Sequence, residues 1–328
     1  MHSHQYAIVA SFGEALVDLI EQVDGRLAPV LGGSVFNFTI GVASQGLQAL
    51  YLNPLSSDPF GARFSARLKA SGAREGAGRT SPLPTSLAIV QLDARGVPTY
   101  VFHRAAVADR DIATEQAIAA LPADLALLHT GCLTLVPEDL PRTLAVVQAA
   151  AARGALVSID ANLRPLVSAD PVRYAAGVRQ ALREAHIVKV SDEDLDHLGL
   201  GSVDPVDAAR VLFADARTAL VAVTLGARGA ALLSRNHEVR MAAPAGLQVA
   251  DTVGAGDCFI AALVAWLARD GALQDDALQA ASSAQLADTL AHAIAGASLN
   301  VQRVGCVPPS WRETRDFVAN WHPVPAPI

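Results

Sequence analysis

Cysteine is scarce in this 328-residue chain: Cys132, Cys258 and Cys306 are odd in number and far apart, which excludes a disulfide framework and a four-cysteine metal site. That scarcity fits a reducing, cytoplasmic compartment. Charged residues make up only 17% and aromatic residues 5%, while 52% of the chain is apolar, so a sizeable core is available and long disorder is excluded. Lysine is nearly missing, with only Lys69 and Lys189, and so lopsided a basic complement reads as composition bias rather than chemistry. The net charge of −7 argues against a nucleic-acid or anionic-membrane surface, so any phosphate site has to be local. No run is long enough for a membrane span of about 20 residues, Phe259 to Ala268 being among the longest, and the start Met1-His2-Ser3-His4 lacks the pattern of a signal peptide. No Gly-Lys pair exists, which excludes a P-loop, and no Gly-x-Gly-x-x-Gly follows a strand, which excludes a dinucleotide fingerprint. The histidines show no zinc-type pairing and read as structural or exposed.

What the sequence does have is rhythm. Short apolar runs alternate with Ala-rich helical stretches, the signature of an α/β fold with a mostly parallel sheet flanked by helices. Strands are expected at Ala7 to Phe12, Leu47 to Leu52, Leu125 to Thr130, Leu156 to Asp160, Ile187 to Ser191 and Leu220 to Leu225. In such sheets ligands gather outside the carboxyl ends of the strands, so the polar residues following these runs are the first candidates for chemistry. Two stretches break the rhythm, Leu16 to Val30 and Ser86 to His103, each with a turn signal in the middle. Both read as β-hairpins. The expectation is one α/β domain over residues 1–328, with a small β-sheet lid, or a dimer-forming surface, built from about 14–33 and 85–107.

The sharpest motif is Asp251-Thr252-Val253-Gly254-Ala255-Gly256-Asp257, which runs straight into the apolar helical stretch Cys258 to Leu267. A loop opening into a helix presents unpaired N–H groups and the positive end of the dipole, a setting that stabilises negative charge on a transferred phosphate. Asp257 at that mouth is placed to accept a proton from an attacking hydroxyl. An ordinary helix cap would look similar.

The seven-residue string resembles the second signature of the ribokinase-like family, the phosphofructokinase B type of carbohydrate kinases. Gly32-Gly33-Ser34-Val35-Phe36-Asn37 is similar to the first signature. Gly13-Glu14-Ala15-Leu16-Val17-Asp18, Asp58-Pro59-Phe60-Gly61, Asp160-Ala161-Asn162-Leu163-Arg164-Pro165 and Thr224-Leu225-Gly226-Ala227-Arg228-Gly229 look like further landmarks of that family, so the resemblance covers nearly the whole chain. It implies an ATP-dependent kinase in which Asp257 deprotonates the accepting hydroxyl and Gly254, Ala255 and Gly256 form the anion hole. Asp18, Gly32, Gly33, Asn37, Arg104 and Arg164 would hold the sugar. Lys189, Ser191, Asp194, Thr224, Gly226, Gly229 and Asn300 would serve the nucleotide side. The cofactors implied are ATP and Mg²⁺, with room in the scheme for a monovalent cation such as K⁺; two copies would pair through the lid.

The sequence departs from the family in one respect that bears on the metal. Ser191-Asp192-Glu193-Asp194 stands where an Asn-x-x-Glu element belongs, so Asp194 is the metal candidate, with Glu193 sharing the role. Asn53-Pro54 replaces a glycine common in relatives. For the substrate, Tyr100 to Arg110 looks like bacterial fructokinases and would bring Arg104 to the sugar, whereas Asp160-x-Asn162-x-Arg164 is shared with 2-keto-3-deoxygluconate kinases. Fructokinase is the first expectation. Another pentose or hexose kinase is the second, and a non-catalytic sugar- or nucleotide-binding regulator is the alternative of a different class.

Overall fold

The structure is a computed structural model that describes residues 7–22, 24–92, 98–214 and 217–321. In chain order its strands are β1 (Ile8–Phe12), β2 (Leu16–Glu21), β3 (Leu27–Gly32), β4 (Gln48–Tyr51), β5 (Arg74–Glu75), β6 (Ser86–Leu92), β7 (Pro98–His103), β8 (Leu125–Gly131), β9 (Leu156–Asp160), β10 (Ile187–Ser191), β11 (Leu220–Thr224), β12 (Ala230–Leu233) and β13 (Glu238–Met241). They form two sheets. The larger has the order β13-β12-β11-β10-β9-β8-β1-β4-β5, parallel from β11 to β5, with β12 and β13 added antiparallel at one edge.

Alternation along the strands divides the core between the two faces of this sheet. Leu127, Ile187 and Leu220 face one apolar cluster with the Ser34–Ser44, Ala255–Arg269 and Ser283–Asn300 helices, while Leu128, Val188 and Val221 face the other with the Leu140–Ala152 and Pro171–Leu182 helices. A sheet covered on both faces needs strands that are apolar at every position, which is why these segments read as continuous runs. The six sequence-expected strands are all present, two with the expected bounds and four shifted by one residue at one or both ends. Strands β5, β12 and β13 had no counterpart in the expectation; each is four residues or fewer, too short to show a periodic pattern.

The two hairpins build the smaller sheet, order β3-β2-β6-β7. Each hairpin is antiparallel, and the hairpins join by parallel pairing of β2 with β6 from Leu16↔Ser86 onward. The turn expected near Asp93-Ala94-Arg95-Gly96 lies outside the described residues. Local chemistry fixes how the small sheet meets the large one. Asp58 caps the Pro59–Ser71 helix by accepting from Gly61 N (2.8 Å), and it also accepts from Thr85 N (2.8 Å) just ahead of β6. Asn53 accepts from Gly13 N (2.7 Å) and donates to Asp109 O (2.8 Å), so the amide that replaces a glycine ties three loops together.

Candidate active site

The carboxyl ends of the parallel strands and the inner face of the small sheet enclose a cleft of about 550 Å³. At its centre Gly254 takes φ 75° as the N-cap of the Ala255–Arg269 helix, a left-handed conformation, and a Cβ there would stand 2.4 Å from Cys306 Sγ. Only glycine fits. Asp257 in the first turn is 7% exposed and lines the cleft. Its Oδ1 accepts from Ser34 Oγ (2.7 Å) and its Oδ2 from Asn37 Nδ2 (2.8 Å). Burial pushes its proton affinity up, while those two hydrogen bonds, then Lys189 and Arg164, push it back down.

Beneath the loop lies a buried ion pair, Lys189 Nζ to Asp160 Oδ1 at 3.1 Å. A Cβ on Gly256 would be 3.1 Å from the same ammonium, which places positive charge directly under the Gly254 to Gly256 turn. Burial raises the Asp160 carboxyl to about 7 against the pull of Lys189. On the lid side Asp18 of β2 lines the cleft and is raised to about 6, by burial, with Arg164 opposing and Asp257 reinforcing. Tyr100 and Phe102 of β7 stack with ring centroids 5.8 Å apart and form an apolar wall.

The structure brings most of the sequence-selected residues together. Asp18, Gly33, Asn37, Arg164, Lys189, Ser191 and Asp194 line the cleft, as do Thr224, Gly226, Gly229, Gly254, Ala255, Gly256 and Asp257. Gly226 and Gly229 also make the strand-to-strand turn from β11 into antiparallel β12.

Three residues do not line the cleft. Gly32 sits behind it, and a Cβ there would be 2.3 Å from Asp18 Oδ2, so Gly32 makes room for that carboxylate. Arg104, expected to reach the sugar, is 8% exposed and is drawn into a buried ionic cluster with Asp109 (3.4 Å) and Asp139 (3.7 Å), where Nη1 also donates to Leu133 O (3.1 Å). Asn300, expected on the nucleotide side, is fully buried; it donates to Val253 O (2.8 Å) and accepts from Val307 N (2.9 Å), tethering the signature loop from behind.

Asp194 does more than its sequence role foresees. Its Oδ1 accepts from Leu163 N (2.7 Å) and its Oδ2 from Ser191 N (2.8 Å), while its own N–H donates to Ser191 Oγ (3.0 Å) in a capping box that starts the Asp192–His197 helix. Among the described residues no group of three His, Cys, Asp or Glu side chains could hold a metal ion. Asp194 and Glu193 nonetheless line the cleft. That sparse donor set fits Mg²⁺, which keeps its waters and is bound through one or two carboxylates together with substrate phosphates.

Sequence reasoning gave no role to Glu14, Ser34, Asp160 or Asn162, although each stands inside a quoted motif. Glu14 Oε1 accepts from Ser34 N (2.9 Å), and burial raises Glu14 to about 7. His129 and His292 are structural. His129 stacks on Phe38 with centroids 3.7 Å apart, and burial lowers both histidines to about 3. Cys258 is buried beside the base, 4.0 Å from Cys306 Sγ, and both burial and that contact hold its thiol protonated.

A fructokinase from Rhizobium leguminosarum bv. trifolii is 32% identical over 265 residues, 80% of each chain, and fructokinase-1 from Zea mays is 30% identical over 313 residues, 92% of this chain and 94% of the other. The crystal structure of a fructokinase from Xylella fastidiosa with bound ATP superposes with a TM-score of 0.81 at 26% identity, covering 95% of this chain and 98% of that one. No helix among the described residues is long and apolar enough to cross a membrane. The sequence profile of the pfkB family carbohydrate kinases matches residues 7–313, and the chain belongs to that family.

Proposed function

We propose that the protein is an ATP-dependent fructokinase with Asp257 as the general base. The reading rests on one observation: a carboxylate in the first turn of a helix, held by Ser34 and Asn37, inside a cleft bounded on one side by strand ends and on the other by a small sheet. The sugar hydroxyl gives its proton to Asp257 as its oxygen bonds to the γ-phosphorus, and the bond to the β,γ-bridging oxygen breaks to release ADP. The N–H groups at the helix start and the Lys189 ammonium face the charge that grows on the transferred phosphoryl group. Asp18, Asn37 and Arg164 are the sugar contacts in this scheme, and the turn from Thr224 to Gly229 serves the nucleotide. Mg²⁺ arriving with ATP would offset phosphate charge, and Asp194 and Glu193 are the carboxylates that would hold it. A dependence on K⁺ belongs to the same scheme, as does pairing of two copies through the lid, where Leu27 and Val101 are exposed.

A coupled ADP-release assay over a panel of ketoses, aldoses and 2-keto-3-deoxygluconate tests the assignment. Fructose is expected to give the highest kcat/KM. Preference for 2-keto-3-deoxygluconate would move the substrate to the keto-acid sugars, and no turnover with any sugar, despite measurable ATP binding, would favour a non-catalytic regulator.

A further inference from the structure

Ser34 has one hydroxyl hydrogen, with a carboxylate on one side and an amide on the other. Asn162 Nδ2 lies 2.9 Å from Ser34 Oγ, and Asp257 Oδ1 lies 2.7 Å from it. An ionised carboxylate only accepts, so the hydrogen must go to Asp257. Ser34 then has to accept from the other side, which fixes the orientation of the Asn162 amide.

The surroundings enforce this order. Ser34 is the first residue of the Ser34–Ser44 helix, and its main-chain N–H is held by Glu14 Oε1 at 2.9 Å. Asn162 has φ 37°, one of three non-glycine residues with positive φ among the described residues. Such a conformation is maintained against its own strain by neighbouring contacts and concentrates at functional sites. Here the contact just after it is Leu163 N donating to Asp194.

We propose that Ser34 is a positioning residue for phosphoryl transfer: oriented by Asn162 and Glu14, its hydroxyl donates to Asp257 Oδ1, keeps that side chain in its acceptor form and leaves the remaining lone pairs for the sugar alcohol. The proposal rests on Asp257 being the base. Four charged groups bear on the same carboxylate. Lys189 of β10 and Arg164, just past β9, favour its charge; Asp160 of β9 and Asp18 of β2 oppose it. Two anions therefore stand against two cations inside a buried site. Burial still raises the carboxyl, and the two short-range donors are the largest influences opposing it; of the two donors only Ser34 is itself steered by a further amide.

The test is the pH profile of kcat/KM for full-length enzyme with saturating Mg²⁺-ATP and the sugar that turns over. The acid limb then reports the base in the nucleotide-bound enzyme before the sugar binds. Ser34→Ala should move that limb upward by about one to two pH units, the worth of one hydrogen bond to a charged group. On the acid side of the limb the loss is then about 10- to 100-fold, and it shrinks toward nothing at alkaline pH. Ser34→Thr, which keeps the hydroxyl, should restore the limb. A limb that stays in place, or a loss that is the same at every pH, overturns the proposal. Asn162→Gly suits the left-handed backbone and removes the steering amide, so it serves if Ser34→Ala does not fold; a smaller upward shift is expected, and no shift counts against the proposal. Asp257→Asn separates the two levels of argument. If that variant keeps full rate, the base assignment falls; if it is inactive throughout while Ser34→Ala leaves the limb unmoved, only the role of Ser34 falls.

Discussion

Two clusters of buried charge lie close together in this molecule, and they are built on opposite principles. In the first, Arg104, Arg110 and Arg142 surround Asp139 and Asp109, with contacts of 2.8 Å from Arg142 and 3.0 Å from Arg110 to Asp139, and Ser86 donates to Asp109 as well. Guanidinium groups are matched to carboxylates, their Nη1 donors go to main-chain carbonyls while Arg104 Nε and Arg142 Nε find no acceptor, and none of these residues lines the cleft. In the second, Asp257, Asp160 and Asp18 share Lys189 and Arg164, all five lining or underlying the cleft, and all three carboxyls are raised. Charge paired with charge holds a scaffold. Charge left short of partners and opening on a cleft is what a ligand completes, and raised carboxyls in such a place mark chemistry.

The largest effect that can break this contrast is at the base. Asp257→Asn keeps the shape and removes the acceptor, so kcat should fall about 10²–10⁴-fold, the usual scale for a positioned base. Calorimetry with ATP and with sugar should show binding preserved. Rates near wild type would place Asp257 among the scaffold charges instead.

Next comes a matched pair, Arg104→Met and Arg164→Met. Arg104 leaves Asp109 and Asp139 buried without their shared partner, so the first variant should lose on the order of 3 kcal/mol of stability, read as a lower Tm, with KM for the sugar nearly unchanged. Arg164 lines the cleft and gives one hydrogen bond to the Leu163 carbonyl, at 2.9 Å. Its replacement should raise KM for the sugar about 10-fold or more, the scale for a lost charged hydrogen bond, and leave Tm close to wild type. Opposite results would mean that the two arginines had exchanged roles.

This pair also shows what the sequence could and could not disclose. The parallel sheet, both hairpins and the signature loop were legible because each depends on local pattern: continuous apolar runs, turn residues and a glycine string ahead of a helix. Asp257, Asp18, Asn37 and Arg164 were legible through motif. Arg104 was misplaced because a hairpin arginine on a substrate-facing strand and one folded back toward Asp139 look alike along the chain. The decision is made by Asp109 and Asp139, 5 and 35 residues away, whose proximity only the tertiary fold creates. Ser34 and Glu14 were overlooked for a related reason: a serine beside two glycines reads as a turn, and nothing local shows that it meets a residue 223 positions later. Gly32 and Asn300 were assigned to ligands when their neighbours are protein, Asp18 in one case and the signature loop in the other.

The smallest expected effect sharpens the contrast through pH. Asp18 is raised from 3.8 to about 6, mainly by burial. A carboxyl whose folded value lies above its unfolded one takes up protons on folding, so its favourable contribution is complete below about 4 and is lost as pH climbs to about 6, with no further change above. Asp18→Asn removes that dependence. Thermal unfolding of the ligand-free protein between pH 4.5 and 7.5 should therefore show the variant gaining on wild type up to about pH 6, to a plateau of order 1–3 kcal/mol, then staying parallel. The same variant should bind sugar more weakly, because the carboxylate that destabilises the empty cleft is the one that accepts hydroxyls. Gly32 already yields its side-chain space to that carboxylate. A stability difference that is flat across the range would show Asp18 to be satisfied without a ligand, and would move it to the side of the scaffold charges.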